Sequence, residues 1–580
     1  MKKRLIIFFL MLHQGIYAQL PPVFDSKQAA AAQTTPTIRK YLSPVRVVWQ
    51  AGDIQNTAAL LRTGNGQADL AGKNICTLKP SGTTKPAILL DFGKELQGGI
   101  QIVTGMTAGN KAVKIRIRLG ESVSEAMSDI EPEKNATNDH AMRDMIVQVP
   151  WLGKLEIGNS GFRFVRIDVI DEVPAFLLQE VRAIFNYRDI PYLGSFHCSD
   201  TLLNKIWMTG AYTVHLNMQD YLWDGIKRDR LVWVGDMHPE IASINAVFGY
   251  NDVVPRSLDL VRDITPLPGW MNGISTYSMW WVIIHHDWYL HQGNLAYLQQ
   301  QKAYLLPLLR QIMQHIDENN SEKLDGRFLD WPSSENPAGI HAGLQAMMVL
   351  CLQSGADLCK TLKEPAVAAE CEAAVARLKK HVPDVAGSKQ AAALLSLSGL
   401  APAEKMDKEV LSVNGAHGFS TFYGYYMLSA MARSGNYQGA LDAIRSYWGA
   451  MLQLGATTFW EDFNLDWMDK AGRIDALLQP GEKDIHGDYG AYCYKGFRHS
   501  LCHGWASGPT PWLTEYVLGI SVKAPGCKVI SITPHLGDLE FASGTFPTPY
   551  GVVKVQHVKQ PNGKVKTTWN APKEVKVILQ

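Results

Sequence analysis

Trp223-Asp-Gly-Ile-Lys-Arg-Asp-Arg-Leu-Val-Trp-Val-Gly-Asp236, followed by Met-His-Pro-Glu240, is the densest run of chemistry in the chain. It sets three carboxylates, Asp224, Asp229 and Asp236, among Lys227, Arg228 and Arg230, with Trp223 and Trp233 interleaved. Carboxylates and guanidinium forks hydrogen-bond hydroxyls, and an aromatic face covers the apolar C–H side of a sugar ring. Two readings fit these residue types: a sugar site, or a solvated charged turn leading into a helix from Pro239 to Phe248.

C-terminal to this stretch the texture is helical. From about Cys198 to Ile520, amphipathic segments such as Glu370–His381 and Phe422–Arg433 alternate with short Gly, Pro and Asn breaks. Helices joined by short links pack as antiparallel hairpins, and some 320 residues accommodate roughly a dozen helices of ordinary length. That is enough for a double ring of six hairpins.

N-terminal to it the texture is β, with Ala87-Ile-Leu-Leu-Asp-Phe92, Gly99-Ile-Gln-Ile-Val103, Val113-Lys-Ile-Arg-Ile-Arg-Leu119 and Phe162-Arg-Phe-Val-Arg-Ile-Asp168 between turns. A β-sandwich is expected, with the polar run Ser122–Met142 as an exposed loop. Alternation returns in Val529-Ile-Ser-Ile-Thr533, Val552-Val-Lys-Val555 and Val575-Lys-Val-Ile578, predicting a small C-terminal β domain. The division is therefore 1–18, a signal peptide; 19–192, an N-terminal β-sandwich; 193–521, an all-α (α/α)6 six-hairpin barrel; and 522–580, a C-terminal β-sandwich domain.

The signal reading rests on Lys2, Lys3 and Arg4, the apolar Leu5–Leu12, and Ile16-Tyr17-Ala18 as a small-residue cleavage site, with cleavage after Ala18. A periplasmic or secreted protein is expected. The apolar run is too short to span a bilayer, so no membrane insertion is expected. A net charge of +1, from 56 basic and 55 acidic side chains, gives no field that would concentrate nucleic acid. The eight cysteines are not a disulfide scaffold: Cys351, Cys359 and Cys371 read as core thiols, and Cys493 and Cys502 as a pair able to close a loop. No zinc or EF-hand spacing occurs, so no metal is expected.

Two further clusters carry chemistry, Gly455-Ala-Thr-Thr-Phe-Trp-Glu-Asp-Phe463 and Ser500-Leu-Cys-His-Gly-Trp505. Glycosidic hydrolysis needs two carboxyl groups on opposite sides of a sugar, roughly 6.5–9.5 Å apart in an inverting enzyme. Clusters distant in sequence can meet this way in a helical barrel.

At these residues the chain resembles the bacterial α-L-rhamnosidase family of glycoside hydrolases. Asp224, Lys227, Arg228, Asp229, Arg230, Trp233, Gly235 and Asp236 fill the family's hallmark in order. Gly455–Glu461 resembles the segment bearing its general base, and Ser500–Gly504 its Ser-Leu-Asn-His stretch. Trp280 and Trp281 before His286-Asp287 resemble its aromatic helix, and Leu329-Asp-Trp331 an Asp-Trp pair beside the pocket. Leu90–Gly99, Gly161–Ile167 and Ala542–Gly551 also look like family sequence.

The resemblance implies an (α/α)6 catalytic barrel flanked by β-sandwiches, with inverting release of terminal α-L-rhamnose. Asp229 lies at the place of the catalytic acid, where the family usually has Glu, and Glu461 at that of the base. Asp224, Arg228, Trp233, Asp236, Trp280, Trp281, Asp330, Trp331, Trp460 and His503 are implied in substrate binding. Glu240 is the alternative acid, and Tyr425, Asp466, Trp467 and Tyr489 are plausible rim residues. The expected partner is a rhamnose-containing glycan or glycoside, and no cofactor is expected, since two carboxyl groups and water suffice. Two alternatives stand beside this: an exo-glycosidase of the same fold acting on another deoxysugar or uronide, and a glycan-binding relative without turnover.

Overall fold

The computed structural model describes residues 35–580 except 73, 108, 140, 141 and 493. The signal segment and Cys493, with its suggested pairing to Cys502, lie outside the described residues. Cys502 itself is a buried free thiol.

The helical region closes into a ring. Met237–Val247, Ser275–Gln292, Pro337–Thr361, Lys389–Ser398, Gly424–Arg433 and Pro509–Trp512, which runs on through Leu513–Val517, each pack against the next, and the last packs against the first. These inner helices are buried nearly all round: Lys389–Ser398 and Gly424–Arg433 each expose almost no side chain. Thr201–Asn217, Val253–Ile264, Leu295–Gln314, Pro365–Leu378, Ala403–Met406 and Tyr437–Gln453 alternate with them along the chain. Several of these, such as Val253–Ile264, are amphipathic, with one buried stripe.

The polar breaks seen in the sequence are caps. Asp200, Asn294, Asn336, Ser388 and Asn436 each accept a backbone N–H in the first turn of the helix they precede, and Gly293 and Gly399 end helices in the left-handed region.

The strands of the expected N-terminal β domain are linked by hydrogen bonds into one sheet of nine strands. Its central strands, Ala87–Thr104 and Gly153–Val169, are long and irregular, their register shifting between Asp91 and Leu96 and between Gly98 and Ile100. Such bulges bend a strand. Along one edge Ala87–Thr104 pairs first with Arg46–Ala51 and then with Phe176–Tyr187, and the sheet encloses an apolar core that includes Ile88, Leu90, Ile100, Ile117, Val165 and Ile167.

One expectation is corrected at Ser122–Met142. Its first part is a short buried helix, Val123–Met127, packed on Leu89 and Phe164. The C-terminal strands form two sheets, and Ser195–Cys198, at the entry to the barrel, pairs with Phe541–Thr548 in one of them.

Candidate active site

The site lies where the loops leading into the inner helices converge. Helix N-termini carry partial positive charge and unpaired N–H groups, so carboxylates gather there with some compensation. Asp236 sits at the N-terminus of Met237–Val247. Gly235 must be glycine, because a Cβ would stand 2.2 Å from the Tyr277 ring, and that ring's hydroxyl donates to Asp236 Oδ1 at 2.8 Å. Trp233, half-buried, meets Tyr277 edge-on.

Arg228 is the hub. Its Nη2 donates to Glu461 Oε1 at 2.5 Å, its Nη1 to Asp229 Oδ1 at 2.9 Å and its Nε to the Arg498 carbonyl at 2.7 Å. The guanidinium lies over the Tyr494 ring. One fork thus spans Asp229 and Glu461, which limits their nearest oxygens to at most about 8 Å apart given ordinary hydrogen-bond and guanidinium dimensions.

His503 Nε2 faces Glu461 Oε1 at 3.4 Å and Asp224 and Asp236 at 3.8 Å each. Asp224 Oδ1 accepts from the Leu231 N–H at 2.9 Å, closing the loop on itself, while a β-bridge between Gly225 and His503 ties it to the segment Ser500–Gly504. Glu461 is held by the Ser500 N–H on Oε2 at 3.0 Å, and its carbonyl takes bonds from Thr421 and Trp505.

Electrostatics follow from burial. Desolvation pushes the Asp224 carboxyl well up, with Asp236 adding to it, and does the same to Asp236. Burial also raises Glu461, opposed by Arg228 and the Ser500 N–H. His503 is pushed well down by burial and then by Arg228, which keeps it neutral. Asp330 is raised to about 6 and Asp462 to about 7, both chiefly by burial. A mouth ringed by acids of such different tendencies suits proton transfer at neutral pH.

Asp229 and Arg230 both have positive φ, 54° and 53°. Two successive residues with side chains in the left-handed region store strain that only surrounding structure can hold.

The structure brings together Asp224, Arg228, Asp229, Asp236, Glu461 and His503. Trp331 is half-buried beside them, stacked on Tyr492 and edge-on to Tyr494. Asp330 is buried behind, accepting from Ser420, Gln390 and the Trp331 N–H.

Other expectations are corrected. Trp281 is wholly buried, donating to the Leu258 carbonyl. Trp280 is buried in a stack with His238 and Tyr426, and Trp460 is buried against Phe463 and His499. The rings of all three are covered by these neighbours. Glu240 is also fully buried, its carboxyl against Gly504 and pushed well up by burial. Among the rim residues, Trp467 stacks on Tyr489 and Asp466 pairs with His417 at the surface. Tyr425 faces a different cavity, lined also by His238, Asp287 and Glu515.

Sequence reasoning passed over Tyr277, Tyr492 and Tyr494, and also Glu121 and Glu125. These two glutamates, with His486, form a group whose oxygen and nitrogen atoms lie close enough for a metal ion. The place is taken by a side chain: Lys227 Nζ stands 3.0 Å from Glu121 and 3.2 Å from Glu125. Both His486 nitrogens are engaged, with Ser122 Oγ and the His499 carbonyl. The donor set is thus that of an ammonium site. The capping pattern Ser122-Val-Ser-Glu125 was the signal for this helix: Ser122 accepts from the Glu125 N–H.

Residues 191–517 match the bacterial α-L-rhamnosidase six-hairpin glycosidase domain, and residues 519–580 match that family's C-terminal domain. The chain belongs to the bacterial α-L-rhamnosidase family. An Alteromonas sp. (strain LOR) protein named alpha-L-rhamnosidase is 22% identical over 566 residues, covering 88% of this chain and 58% of the relative. The chain therefore spans well under two thirds of that relative's length. Among solved structures, the GH78 family rhamnosidase of Bacillus sp. GL1 superposes with a TM-score of 0.74 at 22% identity, over 91% of this chain and 55% of that one. The Klebsiella oxytoca rhamnosidase with rhamnose bound gives 0.64 at 19% identity, over 82% and 95%. These likenesses establish the six-hairpin fold with its flanking sheet domains.

Proposed function

We propose that this chain is an exported glycoside hydrolase releasing terminal α-L-rhamnose from glycans or glycosides with inversion. The observation that carries it is the Arg228 fork joining Asp229 and Glu461, from segments over two hundred residues apart, at the mouth of a family barrel. In this reading Glu461 activates water on one face of the sugar while Asp229 protonates the leaving oxygen on the other. Arg228 and the Ser500 N–H hold Glu461 so that its lone pairs face the attacking water. Asp224 and Asp236 accept or donate to sugar hydroxyls, neutral His503 adds a third partner, and Trp233 and Trp331 supply apolar faces. Rhamnose specificity is supported by the family and by the relatives' names. Export is supported by Lys2–Ala18.

The test is sugar release from a panel of aryl glycosides led by the α-L-rhamnoside, with Asp229→Asn and Glu461→Gln in parallel. Turnover of the α-L-rhamnoside, lost by on the order of 10³-fold in each variant, with the β-anomer of rhamnose formed first, is the expected result. Turnover of another deoxysugar or a uronide instead would move the specificity. Rhamnose binding without turnover would favour the glycan-binding reading, for which Asp229 speaks: it is one methylene, about 1.5 Å, shorter than the family's usual Glu.

A further inference from the structure

The strained loop at Asp229 and Arg230 is held from beneath by the N-terminal sheet domain. Lys227, one residue before the Arg228 fork, turns the other way and buries its ammonium. Nζ donates to the Phe497 and His499 carbonyls at 2.9 and 2.7 Å and pairs with Glu121 and Glu125. Glu121 in turn accepts the Leu501 N–H on Oε2 at 2.7 Å and faces Ser500 Oγ, and Ser500 is the residue whose N–H holds Glu461. The two glutamates therefore touch both walls of the site through one cation and one loop.

The sheet meets this loop at two more points. Gly161 lies so close that a Cβ there would stand 2.7 Å from the Ile226 side chain and 2.8 Å from Lys227 N. Arg230 donates to the Asn159 carbonyl at 2.9 Å. Burial draws the Lys227 ammonium down, but Glu121 and Glu125 more than offset it and hold it charged.

We propose that Glu121 and Glu125 of the N-terminal sheet domain are positioning residues that, through Lys227, hold the Asp224–Asp236 loop in its strained conformation. The sheet domain is then part of the active-site scaffold. What the loop does rests on the hydrolase reading above; what holds it does not.

A buried ammonium stripped of both carboxylates is unstable where it sits, so the loop must shift to solvate it, and a shift near 1 Å at the acid is enough to cost on the order of 10²-fold in rate. The variants are Glu121→Gln with Glu125→Gln, which keep shape and remove charge, and Lys227→Arg, which keeps the charge. Arg188→Met is the control: Arg188 bonds the Gln219 carbonyl and Asp252 at another sheet-to-barrel contact, with both partners outside residues 223–236.

Amide hydrogen exchange of the peptide 223–236 is expected to quicken by about tenfold or more in the double variant, and to stay unchanged in Arg188→Met. On α-L-rhamnosides, kcat of the double variant should fall by about 10²-fold with KM changed by less than about 3-fold, and more for poor leaving groups, which depend on protonation. Lys227→Arg should retain part of that rate. Unaltered exchange at 223–236, or equal loosening in Arg188→Met, overturns the proposal. If the double variant does not fold, Glu125→Gln alone is read by the same exchange. If the wild type turns over no rhamnoside yet the exchange pattern holds, the hydrolase reading fails and the positioning role stands.

Discussion

Lys227 and Arg228 are neighbours in sequence, both cationic, both buried, and both paired with two carboxylates, yet they do opposite things. Lys227 spends all its donors on acceptors in a closed interior: two glutamates and two carbonyls. Arg228 joins two acids that belong to the mouth, one of which, Asp229, keeps a fifth of its side chain exposed. An ammonium is a compact point charge that can be surrounded, whereas a guanidinium is a planar fork that sets two partners at a fixed separation. The first suits an anchor and the second a device that spaces reactive groups.

The comparison breaks most readily at the anchor. Lys227→Met leaves Glu121 buried without its counter-charge and Glu125 with the longer Arg143 contact at 3.5 Å, and should lower stability by about 3–5 kcal/mol, read as a shift of the urea or thermal midpoint. A variant as stable as wild type would mean that the cluster is not the anchor described. The fork comes next. Arg228→Lys keeps the charge but cannot span both acids, so kcat/KM on the α-L-rhamnoside should fall about 10²-fold, equivalent to about 3 kcal/mol of transition-state stabilisation. Its midpoint should move far less than that of Lys227→Met. Reversal of this pattern, with stability lost at 228 and activity at 227, would exchange the two roles.

How far these roles were legible in the sequence differs between the two residues. The alternation of Ala87–Phe92 and Val113–Leu119 and the helical period after Cys198 announced sheets and hairpins, because burial of one face imposes those periods directly. The carboxylate–arginine–tryptophan mixture of Trp223–Asp236 announced the mouth. The partners of Lys227 were invisible, since Glu121 and Glu125 stand a hundred residues upstream in a stretch whose polar composition reads as solvent-exposed. Polar composition misleads where a buried counter-charge waits elsewhere in the chain. Trp280 and Trp281 misled in another way: an aromatic pair on a helix reads as a wall for sugar, but in an inner helix buried all round, residue type says nothing about which way a ring points. The strand order of the N-terminal sheet was likewise hidden, because alternation reports a buried face and not which strands share an edge.

The smallest expected effect belongs to an acid held by neutral donors. Among the described residues Asp330, behind Trp331, has no cation beside it; Ser420, Gln390 and the Trp331 N–H reach it. Burial raises its carboxyl from the ordinary 3.8 to about 6, so the folded chain binds this proton more tightly than the unfolded chain does. Between about pH 4 and pH 6 unfolding therefore releases a proton, and Asp330 makes stability decline as pH rises through that window and level off above it. An amide at this position does not titrate and keeps the planar shape, but its NH2 replaces one of two accepting oxygens, a cost that is the same at every pH. The stability difference between Asp330→Asn and wild type should grow in the variant's favour by about 1–3 kcal/mol from pH 4 to pH 7, measured as urea midpoints at several pH values. The other buried acids are common to both chains, but Asp462, whose carboxyl the Asp330 charge helps to raise, shifts with the substitution and enters the difference. Parallel profiles would show that the hydrogen bonds to Asp330 keep it ionised in the folded chain and that burial does not raise it.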